Sequence, residues 1–140
     1  MISIKHLKNT LRAYFSTKPE VLSVYVFGSS VTNRKRKNSD IDIALFLNEQ
    51  YVEVPLRYRI EIATDLTELL RTDVDIVILN FSNLLLRAQV FEKGLLVYER
   101  NPNARALFQS ISMGRYYDFK RYFSLHADRL KRKIKEIGLG

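Results

Sequence analysis

Three acidic residues and one Gly-Ser pair carry most of the chemical information in this chain. Asp40 and Asp42 are separated by a single residue, and Gly28-Ser29 precedes them by ten intervening positions. In a strand, residues two apart point to the same face. Asp40 and Asp42 therefore project together, while Ile41, Ile43 and Leu45 point the other way, into a core. Neighbouring carboxylates repel and raise each other's pKa. A divalent cation removes that conflict, and Mg²⁺ binds through one or two carboxylates plus substrate phosphates. A pair of such ions is the usual device for in-line displacement at phosphorus. Gly28 permits a tight turn and close approach to a ligand. Backbone N–H groups there, with the Ser29 hydroxyl, can cradle phosphate oxygens. Asp75 lies in the apolar run Val74-Asp75-Ile76-Val77-Ile78. An isolated acid in such a run is costly without a partner, and a metal shared with Asp40 and Asp42 supplies one. Asp73 lies on the same strand face as Asp75 and competes for its role.

The elements that must position these residues follow from hydrophobic pattern. Apolar side chains at Ile4, Leu7, Leu11 and Tyr14/Phe15 have helical period, ended by Ser16-Thr17-Lys18-Pro19. Val21–Phe27 reads as a buried strand, broken sharply by Gly28-Ser29-Ser30, and Asp40–Leu47 as a second. Pro55 opens a helix with a broad buried stripe (Leu56, Ile60, Ile62, Ala63, Leu66, Leu69, Leu70) that runs to Arg71. A third strand spans Val74–Leu79. Asn80 or Ser82 caps the next helix, which ends before Gly94. Leu95–Tyr98 is a short fourth strand, and Asn101-Pro102-Asn103 a turn. From Ala104 to about Ile137 the chain reads helical, with an interruption at Gly114. The expected class is α/β (α+β), a small mixed sheet flanked by helices. One domain is expected over 1–140, with its core at about 21–98 and a C-terminal helical region at about 104–137.

Composition narrows the partners. The chain has 140 residues, 46% of them hydrophobic, and no cysteine. Cys-based metal sites and disulfides are excluded, and with only His6 and His126 a zinc site is not expected. No apolar run is long enough for a membrane span, and Met1–Lys5 lacks the apolar core of a signal peptide. A reducing cytoplasm is the expected compartment. The net charge of +8 suits polyanionic partners: nucleotide phosphates, an acidic protein, or nucleic acid bound directly.

With those residues in view, Phe27-Gly28-Ser29…Ser39-Asp40-Ile41-Asp42-Ile43 resembles the signature of the DNA polymerase β-type nucleotidyltransferases. The short length and helical tail are similar to the minimal nucleotidyltransferases, antitoxin partners of HEPN-domain ribonuclease toxins. The resemblance spans roughly Val21–Tyr98, and the flanking helices loosely. It implies that Gly28 and Ser29 hold the triphosphate and that Asp40 and Asp42 bind two Mg²⁺ ions. It gives Asp75 a share in the metal site and in activating the attacking hydroxyl. It also implies ATP as donor and a tyrosine of a cognate HEPN toxin as acceptor. Two alternatives stay open: transfer to a small hydroxyl compound such as an aminoglycoside, and an antitoxin that only masks its partner.

Two basic segments remain. Arg34-Lys35-Arg36-Lys37 lies between the two halves of the motif, where it is either solvated or within reach of the triphosphate or an RNA-bound partner. From Arg115 to Lys135 eight Lys/Arg oppose Asp118 and Asp128, interleaved with Tyr116, Tyr117, Phe119, Tyr122 and Phe123. Those aromatics either pack on the core or face a partner. Arg121 and His126 have the spacing of the HEPN ribonuclease motif, but that domain is all-helical and the strands here contradict it. Glu61 and Glu68 read as surface charges.

Overall fold

A computed structural model describes residues 2–28 and 40–138. Helix α1 (Ile4–Ser16) leads into β1 (Val21–Phe27), β2 (Ile41–Leu47), α2 (Pro55–Leu70), β3 (Val74–Ile78), α3 (Leu84–Lys93), β4 (Leu95–Glu99) and α4 (Pro102–Glu136). The strands form one mixed sheet in the order β3-β2-β1-β4. β1 pairs antiparallel with both β2 and β4, and β2 pairs parallel with β3 through the α2 crossover. This is the expected α+β architecture.

Strand alternation divides the core between the two sheet faces. Ile41, Ile43, Leu45 and Leu47 of β2, with Val74, Ile76 and Ile78 of β3, are buried against α1 and α2. Helix α1 contributes Leu7, Leu11 and Phe15 to that layer, one turn apart, and its first turn is capped by Ser3, whose side chain accepts the His6 N–H. Helix α2 contributes Ile62, Leu66 and Leu70. Its stripe is narrower than periodicity predicts, because Leu56, Ile60 and Leu69 are exposed. The opposite face buries Tyr25, Ala44, Leu79 and Val90 beneath α3 and the start of α4. There Phe108 stacks on Phe46 with ring centroids 4.3 Å apart.

The turn after β3 departs from the sequence reading. The strand ends at Ile78, and Leu79–Phe81 form a 3₁₀ turn. Neither Asn80 nor Ser82 caps α3. Asn83 does, accepting the Leu86 N–H at 2.8 Å. Asn80 is occupied elsewhere: its side chain accepts the Leu47 N–H and donates to the Leu47 carbonyl. Arg87 fixes the same turn from α3, donating to the Leu79 and Asn80 carbonyls at 2.8 Å each while its guanidinium lies over the Phe108 ring. Burial, and next the nearby Arg115 cation, lower the Arg87 pKa.

Helix α4 corrects two further expectations. Pro102 starts the helix instead of forming a turn, because Asn101 caps it by accepting the Ala104 N–H. The helix also runs through Gly114 unbroken; that glycine has nothing within 4 Å of where a Cβ would sit. Ser112 is the last buried residue among the described ones. Phe119, Tyr122 and Phe123 are exposed, so the C-terminal aromatics do not pack on the core.

Candidate active site

Backbone pairing on both sides of β2 assembles the acids. In the parallel pair, Asp42 stands directly opposite Asp75. In the antiparallel pair, Asp42 stands opposite Phe27, the last residue of β1. Asp42 and Asp75 both point to the α3/α4 face, at the end of the sheet those helices leave uncovered. Asp40 is exposed just before β2, and the Ile41 N–H donates to the Asp73 carbonyl at 2.9 Å. Asp73 thus precedes β3, and its backbone helps hold the two strand starts together.

Gly28 closes the third side. Its φ of 73° lies in the left-handed region, and a Cβ there would sit 2.4 Å from Asp42 Oδ2. The φ favours glycine, and the close approach places the turn's backbone against the Asp42 carboxylate, which a Cβ would push aside. Ser29 and the basic run Arg34–Lys37 lie outside the described residues.

Electrostatics follow from this crowding. Asp42 is half-buried, and burial raises its pKa first, then the charges of Asp75 and Asp40. Asp75 is not buried as an apolar strand suggests. Its side chain is 52% exposed, and its partner is Arg59 of α2, whose Nη2 lies 3.4 Å from Asp75 Oδ1. Arg59 escaped the sequence reading because its pairing depends on how α2 crosses the β3 edge, which no spacing encodes.

Among the described residues no three His, Cys, Asp or Glu side chains are grouped closely enough to hold a metal ion as they stand. The donor chemistry nevertheless fits Mg²⁺. The carboxylates of Asp40, Asp42 and Asp75 are hard oxygen ligands, and the upward shift of Asp42 marks a charge conflict that a divalent cation would relieve. Swinging Asp75 away from Arg59, a long contact between half-exposed groups, is a small change.

The sheet end thus sets in-register carboxylates beside a left-handed glycine turn, an arrangement that suits nucleotidyl transfer. Residues 9–103 match the family described as "Polymerase beta, Nucleotidyltransferase", and the chain belongs to that family. No curated protein matches. Several solved structures share the fold. A toxin–antitoxin crystallised with AMP-PNP aligns with a TM-score of 0.73 and 25% identity, over 89% of this chain and 98% of that one. The toxin–antitoxin MntA–HepT aligns at 0.67 and 24%, over 89% and 96%. A tri-AMPylated Shewanella oneidensis HEPN toxin in complex with MNT antitoxin aligns at 0.67 and 22%, over 91% and 99%. Among the described residues no helix is long and apolar enough to cross a membrane.

Proposed function

We propose that this protein transfers AMP from ATP to a tyrosine hydroxyl of a cognate HEPN-domain toxin and so acts as its antitoxin. The observation that carries the reading is the pairing of Asp42 with Asp75 at an exposed sheet end beside Gly28, within a polymerase β-type domain. The AMP-PNP and AMPylated-toxin complexes that share the fold support the donor and the partner. A chain without cysteine fits a reducing cytoplasm.

Asp40, Asp42 and Asp75 would hold Mg²⁺, which when bound neutralises triphosphate charge and strengthens the α-phosphorus as an electrophile. The Gly28-Ser29 turn receives the phosphates through backbone N–H groups and the Ser29 hydroxyl. Asp75, the most accessible of the paired acids, takes the proton of the attacking hydroxyl. The acceptor oxygen then bonds to the α-phosphorus as the bond to diphosphate breaks. Orientation and charge compensation supply the acceleration.

The test is intact-mass spectrometry of a HEPN-domain protein, sought in the adjoining reading frame, after incubation with this protein, ATP and Mg²⁺. The expected result is one or more added AMP masses on a tyrosine. No added mass, together with full neutralisation by an Asp40→Asn/Asp42→Asn variant, overturns transfer in favour of masking. Modification of an aminoglycoside but not of the protein overturns the acceptor.

A further inference from the structure

The outer half of α4 has no role in the chemistry above, and its composition is unusual for a solvated helix. Tyr116, Phe119, Phe123, His126 and Leu130 follow one another at alternating three- and four-residue steps. That spacing draws a seam along one side of a helix, the pattern that accepts a second helix. The seam continues the line of Ser112, which is buried where α3 packs on α4. It runs on past the N-terminus of α3, with Phe119 and Phe123 exposed and Tyr116, His126 and Leu130 partly buried. Phe119 is 59% exposed and Phe123 46%. Contiguous exposed apolar surface marks interaction sites.

The seam begins in a groove of about 730 Å³ between the start of α3 and α4. Leu84, Leu85, Phe119 and Phe123 form its apolar walls, and Arg115 and Lys120 line it as well. Among the described residues neither cation is ion-paired. Ser82 lines this groove and also a second, smaller depression of about 240 Å³, which contains Phe81, Leu56, Val77 and Arg59. Val77 lies two residues beyond Asp75 on the same strand face, and Arg59 contacts Asp75. The two depressions adjoin at Ser82, and Arg59 links the second to Asp75, which marks a track from the α4 seam along the outer edge of β3 toward the acids.

We infer that this track is the acceptor-docking surface: an acidic amphipathic helix of the modified protein seats on the Tyr116–Leu130 seam, and an adjoining segment delivers its hydroxyl along the β3 edge to Asp75. The inference rests on the transfer reading above and names its recognition surface. Charge selects the occupant. A second copy of this chain would bring another +8 chain and another basic α4 against Arg115 and Lys120, whereas an acidic helix compensates both. The seam from Tyr116 to Leu130 covers 15 residues, so its occupant needs about four helical turns, roughly 21 Å.

The test uses the full chain with the HEPN-domain protein named above. Phe119→Ala/Phe123→Ala removes the central anchors from solvent-facing positions, and folding is checked by circular dichroism and melting. The Kd for the partner is expected to rise about 30-fold or more, as for buried aromatic anchors. Arg115→Glu/Lys120→Glu should weaken binding about tenfold at low salt and flatten its salt dependence. Affinity for a fluorescent ATP analogue with Mg²⁺ should not change in either variant. Kd values within twofold of wild type in both variants, with AMP transfer intact, overturn the docking surface and leave the transfer reading standing. Wild-type binding through Phe119 and Phe123 without added mass overturns transfer and leaves the surface. No binding by the wild type overturns both. A wild-type homodimer that dissociates on Phe119→Ala/Phe123→Ala substitution overturns the acidic partner.

Discussion

At the sheet end, Asp42 and Asp75 are placed by strand pairing on both sides of β2, whereas Phe119 and Phe123 on outer α4 stand largely exposed beside the start of α3. The first region pays for its geometry with like-charge crowding and a left-handed glycine. The second carries exposed apolar surface and no strain. On the readings proposed above, the contrast separates two tasks. Transfer at phosphorus needs fixed positions before the substrate arrives, while recognition of a protein partner is completed by burial when the partner arrives. Substitutions in the first region should therefore damage chemistry beyond any effect on folding, and substitutions in the second should leave the free protein almost untouched.

The largest effect is expected from Asp42→Asn, which should lower AMP transfer about 100- to 1,000-fold, the scale of losing one preorganised charge-stabilising group. Single-turnover kinetics with labelled ATP measures it, and near-wild-type turnover would break the assignment. Gly28→Ala should follow. A side chain at that φ costs about 1–2 kcal/mol, and its Cβ would displace the Asp42 carboxylate. Urea denaturation and the transfer assay should report the loss together; a loss of stability alone would mean the turn does not serve the site.

A smaller effect of opposite sign sharpens the contrast. Because the Asp42 pKa is raised in the folded protein, its ionisation opposes folding. That penalty is absent while the group is protonated in both states, grows as pH climbs above the ordinary carboxylate value, and is complete above the raised one. Asp42→Asn should therefore melt about 2 °C higher than wild type at neutral pH without nucleotide, as expected for relief of roughly 0.5 kcal/mol of burial cost and cross-strand repulsion. The gain should fade as pH falls below the ordinary carboxylate range, and a gain that persists in acid would rule out charge as its cause. The smallest effect belongs to Phe119→Ala/Phe123→Ala, which should shift the stability of the free protein by no more than about 0.5 kcal/mol. A larger loss would show that outer α4 is supported by contacts within its own chain.

Much of this arrangement was legible in the sequence, because strand alternation is strict wherever one face is buried. Ile41, Ile43 and Leu45 inward and Asp42 outward could be read directly, as could the glycine turn and the helical run of α1. What could not be read depended on contacts distant in the chain. Asn80 resembles a helix cap, but it spends its side chain on the backbone of Leu47, 33 residues away, which leaves Asn83 to cap α3. Nothing local to Asp75 announces Arg59, so the sequence suggests only a metal as its partner. Leu56, Ile60 and Leu69 have the period of a buried stripe, yet pattern does not distinguish residues covered by the chain itself from residues left bare. The metal-binding roles of Asp40, Asp42 and Asp75 rest on donor chemistry and await the transfer assay.

The parallel pairing of β2 with β3 protects the chemistry against a particular assembly error. If β3 slipped by one residue, Asp75 would turn into the layer beneath α2, and Val74, Ile76 and Ile78 would turn out to water. All three are now buried, and exposing them forfeits roughly 1.5–3 kcal/mol each, before any penalty for the misplaced carboxylate. Alignment of the two acids is thus proofread by side chains that never touch substrate. Polar substitutions at Ile76 would be expected to scramble the reaction centre from the far side of the sheet, through misalignment and not through contact.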